Sequence, residues 1–127
     1  MGLLSPILRG AQGGRLTWWC PGCDGPHQIA HGDGPGPRWG WNGSAEKPTF
    51  TPSVLVTGHG LTPTGQAEAD AWFKAGNPAP TPKFESAPTS CHSFVVDGQM
   101  QFLGDCTHAL AGQTVPIPAW PVPDWND

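Results

Sequence analysis

Tyrosine is missing from this 127-residue chain, charged residues make up only 13%, and six lysines and arginines face ten aspartates and glutamates, for a net charge of −4. A phosphate backbone is bound through clustered positive charge, so this balance argues against nucleic acid as a partner. No apolar run approaches the ~18 residues that a membrane-spanning helix needs. Met1 to Arg9 holds one short apolar stretch with neither a basic lead nor a cleavage pattern, so a cytoplasmic protein without membrane association is expected. Apolar residues reach only 37%, which is thin for a self-sufficient core. The length fits one domain, residues 1–127, and such a domain needs an additional staple. The seven tryptophans supply part of the missing burial, because each ring system covers about 150–250 Å².

What is abundant points to strands and turns. Eighteen glycines and sixteen prolines break helices throughout. Arg15 to Cys20 has strand character, Cys20-Pro21-Gly22-Cys23 makes a tight knuckle, and a second short strand is expected near His27 to Ala30. Further strand-like segments are Arg38 to Trp41 and Thr49 to Val56, with Pro48 and Pro52 confining the latter to an edge or a bend. Residues 58–90 read as a loop-rich insertion between core segments 15–57 and 91–118. The insertion's one ordered element is a short helix from about Gln66 to Ala75, capped by Thr64 and stopped by Gly76. The expected fold class is mainly β: a small zinc-ribbon-like domain with hairpins and one short helix in the insertion.

Asp97-Gly98 lies between His92-Ser93-Phe94-Val95-Val96 and Gln99-Met100-Gln101-Phe102-Leu103, a strong hairpin signal because both turn residues tolerate positive φ. With those two residues as the loop, Val96 faces Gln99, Val95 faces Met100, Ser93 faces Phe102 and Cys91 faces Gly104. Facing residues share a side of the sheet. Cys91 and Cys106 therefore fall on one face, and His92, Leu103 and Asp105 on the other.

That division separates two kinds of chemistry. Cys20 and Cys23 form one CxxC arm and the hairpin brings Cys91 and Cys106 together as a second, so the four cysteines are the expected ligands of a structural Zn²⁺. A reducing compartment favours this over two disulfides or inert thiols. A Cys3His variant using His27, His92 or His108 stays open. On the opposite face His92 and Asp105 form a base-and-orienter pair, and Ser53, held in a turn by Pro52, is the serine best able to complete a catalytic set. Asn42-Gly43-Ser44 and Lys47 form a polar turn that could line a pocket or supply oxyanion donors. Thr107 to Ala111 is a candidate helical turn, with Thr107 as its cap and Gly112 as its end.

The strings WWCPGC, WGWNGS, KPTFTPSVLV and CHSFVVDGQMQFLGDCTHALAGQ, spread from Trp18 to Ile117 around the insertion, resemble the BubE-like family of small bacterial and phage proteins, often labelled ammonia monooxygenase. The resemblance implies a serine peptidase acting on a ubiquitin-like protein or its conjugates, with Ser53 and His92 matching the family's Pro-Ser and its His after Cys. Asp105 as the third member rests on hairpin geometry. Two other readings remain. One is a non-enzymatic zinc-ribbon module, such as a phage accessory protein that binds a host protein. The other is a hydrolytic metal held by His27, His92 and His108. No copper or iron ligand set supports monooxygenase chemistry.

Overall fold

The computed structural model describes residues 2–121 of the chain. Two antiparallel sheets face each other across one core. The first contains β1 (Gly2–Leu3), β2 (Arg9–Ala11), β3 (Arg15–Cys20) and β4 (Gly25–Ala30), in sequence order. The second contains β5 (Gly40–Trp41), β6 (Phe50–Leu61), β7 (Ser86–Val96), β8 (Gln99–Phe102) and β9 (Thr114–Pro116), again in sequence order. A parallel bridge between His31 and Trp39, with Trp39 N–H donating to the Ala30 carbonyl at 2.8 Å, joins the sheets.

Strand alternation builds the core. On β3, Leu16, Trp18 and Cys20 turn inward, and on β7, Cys91, Ser93 and Val95 do the same. Trp18 packs on Phe50 at 5.1 Å between ring centroids, and both are essentially inaccessible to solvent. Truncating either to Ala would cost about 3–5 kcal/mol by the usual cavity argument. Leu8, which the sequence left outside the core segments, is also fully buried, and β1 and β2 extend the first sheet beyond the expected start at residue 15.

The Asp97-Gly98 hairpin forms in the expected register, pairing Val96 with Gln99, Val95 with Met100 and Ser93 with Phe102. Both loop residues have positive φ, 50° and 77°, as a type I′ turn demands. The ladder itself stops at Phe102, short of Gly104, but Leu103 N–H still donates to the His92 carbonyl at 2.9 Å.

The segment read as a loop-rich insertion is more ordered than its composition suggests. β6 continues to Leu61 and β7 begins at Ser86, so residues 58–61 and 86–90 are a paired extension of the same hairpin. Gly58, Gly60 and Pro88 disguise it. Helix α1 (Pro63–Lys74) closes the far end. It starts earlier than expected: Thr62, not Thr64, is the cap, its hydroxyl accepting from Gly65 N–H at 3.1 Å, with Pro63 in the first helical position. Residues 107–111 form a turn, not a helix, and Thr107 Oγ1 accepts from Ser90 N–H at 2.9 Å across the chain instead of capping. Among the described residues, no helix is long and apolar enough to cross a membrane.

Candidate active site and metal centre

β7 carries two clusters on its two faces. On the outer face, Ser53 Oγ lies 2.9 Å from His92 Nε2, and His92 Nδ1 lies 3.2 Å from Asp105 Oδ2. Three separate segments supply these groups. Ser53 follows a cis Thr51–Pro52 bond at a bulge, where the β6–β7 register shifts between Phe50 and Val54. This shift directs Ser53 toward β7, while the Trp39 indole N–H donates to the Ser53 carbonyl at 3.2 Å. His92 is central in β7, and Asp105 sits in the turn after β8. With Nδ1–H donating to Asp105, Nε2 is left to accept the Ser53 hydroxyl proton. The Asp105 side chain is 58% exposed and that of His92 is 26% exposed, so the set opens onto solvent.

On the inner face, Cys20, Cys23, His27 and Cys91 bring one ligand atom each to within 4.8 Å of one another. The Cys20 and Cys91 sulfurs are 3.9 Å apart. A disulfide would hold them at about 2.0 Å. Two thiolates at about 2.3 Å from one tetrahedral ion would lie about 3.8 Å apart. His27 is buried and its Nε2 has no hydrogen-bond partner, a costly arrangement for an imidazole unless a ligand takes up the nitrogen. The donor set fits a soft tetrahedral dication such as zinc.

The thiols are strongly interdependent. The Cys91 hydrogen bond, aided by His27 and the Cys23 amide, lowers Cys20 to about 4 against the opposing effect of burial. Cys91 is pushed up by that same bond to Cys20 and then by burial. Cys23 is exposed as a residue, yet desolvation of its sulfur and the neighbouring Cys20 charge raise it to about 11. One thiolate thus suppresses ionisation of the others, and a bound dication would relieve that conflict.

The sequence placed Cys106 with Cys20, Cys23 and Cys91, whereas the structure puts His27 in the cluster with those three. Cys106 belongs instead to an adjoining group with Cys91 and His108. Its sulfur also lies 3.2 Å from both the amide nitrogen and the carbonyl oxygen of His92, accepting from the first and donating to the second. Cys106 therefore grips the backbone of the histidine that faces Ser53. His108 Nε2 lies 3.4 Å from the Cys91 sulfur, and its ring stacks edge-on against Phe102. Gly22 leaves room for that ring: a Cβ there would fall 2.3 Å from His108 Cε1. Among the described residues, His27, His92 and His108 form no common cluster, so the three-histidine metal site is not assembled. The turn at Asn42-Gly43-Ser44 and Lys47 closes on itself, with Asn42 Oδ1 accepting from Ser44 N–H and Ser44 Oγ accepting from Lys47 N–H, each at 3.0 Å.

Comparison with curated proteins and with solved structures gives no significant match. A family model described as "Bacterial ubiquitination-like system serine protease (BubE)" matches residues 5–103. That span contains Ser53, His92 and the inner-face residues Cys20, Cys23, His27 and Cys91, and it ends just before Asp105. With most of its length matched, the chain belongs to the BubE family.

Proposed function

We propose that this protein is a metal-stabilised serine peptidase in which Ser53 is the nucleophile, His92 the general base and acid, and Asp105 the group that orients His92. The observation that carries this reading is the continuous chain of contacts from Ser53 Oγ to His92 Nε2 and from His92 Nδ1 to Asp105 Oδ2. In the forward step His92 takes the hydroxyl proton as Ser53 Oγ bonds to the substrate carbonyl carbon. The C–N bond then breaks, and His92 returns the proton to the leaving amine. Water activated by the same histidine hydrolyses the acyl-serine, restoring the serine hydroxyl and releasing a carboxylic acid. The substrate class is the tail of a ubiquitin-like protein, or a conjugate made through it, a reading that rests on the family's description.

Zinc is the metal we assign to Cys20, Cys23, His27 and Cys91. Bound there, it would serve a structural role, with Cys20, Cys23, His27 and Cys91 as its four ligands tying the β3–β4 knuckle to β7. The protein acts in the cytoplasm in this account, where thiols such as its four free cysteines persist. Replacing Ser53 with Ala is expected to lower peptide cleavage at least about 10⁴-fold, with melting temperature and metal content unchanged. Cleavage retained by the Ser53→Ala protein would rule the mechanism out.

A further inference from the structure

β6 has one paired side and one open side beyond Ser53. Its partner strand reveals which backbone groups face the open side. The carbonyl of His92 accepts from Leu103 and its amide donates to Cys106 Sγ, so both point away from β6. The carbonyl and amide of Ser90 likewise engage Thr107. In an antiparallel pair, residues facing each other either exchange both bonds or point both away. Leu55 faces His92 and Thr57 faces Ser90. The amides and carbonyls of Leu55 and Thr57 must therefore point outward from β6, and alternation extends the pattern to His59 and Leu61, which face Pro88 and Ser86. Pro88 fits this register because a residue in its position gives no amide to β6. Among the described residues, β5 covers β6 only at Phe50 and Thr51, leaving this edge without a strand partner.

Exposed edges are ordinarily blunted by lysine, proline or a bulge, because unpaired backbone invites another strand. Residues 54–61, Val-Leu-Val-Thr-Gly-His-Gly-Leu, contain no lysine and no proline, and the bulge lies before Val54. Leu55 is 55% exposed, and Phe94, on the same face as His92, is 42% exposed. The open edge runs about 20 Å from Leu55 to Leu61 and its near end meets Ser53.

We propose that this edge is the substrate-docking site, taking an extended peptide segment as an added antiparallel strand. The proposal rests on the peptidase reading for its substrate. An antiparallel peptide would run from the Leu61 end toward Ser53, so the docked segment is the acyl side, N-terminal to the scissile bond. Recognition comes mainly from backbone hydrogen bonds at Leu55, Thr57, His59 and Leu61, with Leu55 and Phe94 giving apolar contact close to the reacting groups. An extended, flexible protein tail has the required shape, whereas a folded segment cannot pair with the edge.

Two experiments on the full chain test this. Capped peptide p-nitroanilides with two, four and six residues of Ala, Val, Thr and Ser on the acyl side should show kcat/KM rising by about tenfold or more with length, since each added pair of residues brings further backbone hydrogen bonds to the edge. N-methylation of alternate acyl-side amides should abolish that gain, while methylation of the intervening amides should not. Independently of catalysis, a capped six-residue peptide amide of the same composition added to the Ser53→Ala protein should slow hydrogen exchange at Leu55, Thr57 and His59, with Val54, Val56 and Gly58 unchanged. A flat length dependence, methylation effects without a period of two, or exchange unaffected at those three amides would overturn the docking site. Protection of the three amides without peptide, in a protein that sediments as a dimer, would assign the edge to a second copy and also overturn it. If the edge amides are protected but Ser53 proves unreactive, the peptidase reading fails and the docking site stands.

Discussion

The two faces of β7 differ in what the fold asks of them. Cys91 turns into a buried cluster with Cys20, Cys23 and His27, where crowded thiols and an unpartnered imidazole nitrogen could hold a metal ion. His92, one residue on, turns to an exposed face and meets Ser53 and Asp105. Adjacent residues of a strand point to opposite sides, so a candidate metal centre and a proposed proton-transfer site can be separated by one peptide unit. The inner cluster fixes where β7 lies, and the outer set uses that placement. A small chain with a thin core can thereby hold the Ser53, His92 and Asp105 side chains in register.

If the inner cluster holds the zinc proposed for it, removing that ion should have the largest effect, because both faces depend on it. Chelation is expected to abolish peptide cleavage and the cooperative melting transition together, because structural zinc sites contribute folding energy of several kcal/mol or more; circular dichroism and activity followed across a chelator titration would check this. The outer face alone should be weakened by Asp105→Asn. We expect about a 10²- to 10³-fold fall in kcat, less than for a buried triad carboxylate because Asp105 is largely exposed. Metal content should not change.

Cys106 sharpens the boundary between the faces. If it grips the His92 backbone and is not a ligand, Cys106→Ala should retain one metal ion per chain, measured by elemental analysis, and lower kcat by about tenfold through a misplaced base. Loss of the metal in that variant would return Cys106 to the ligand set. The smallest effect should follow Gly98→Ala, at a position with φ of 77° where a Cβ would meet Lys47 Cα at 3.2 Å. A loss of about 1–2 kcal/mol in denaturant unfolding is expected, with both clusters intact in what remains folded.

Local rules made much of this arrangement legible. The Asp97-Gly98 turn fixed the hairpin register, and register with alternation put Cys91 and His92 on opposite faces. What local rules missed depends on partners distant in sequence. His27 and Cys106 exchange places beside the other three cysteines because the knuckle folds over β7, and hairpin geometry does not include that docking. Residues 86–90 look like loop because Pro88 suggests it, yet their pairing with β6 survives where the proline nitrogen points outward. Leu8 is buried by a sheet whose first two strands are only two and three residues long, too short to give a periodic signal.

The central claim is that Ser53 is made nucleophilic by His92, and fluorophosphonate labelling of the folded, metal-loaded protein tests it most directly. With the modified residue mapped by mass spectrometry, the account predicts a single adduct on Ser53 that disappears in His92→Ala while the melting temperature is retained. An unlabelled Ser53 in folded protein, or labelling that persists without His92, would contradict it.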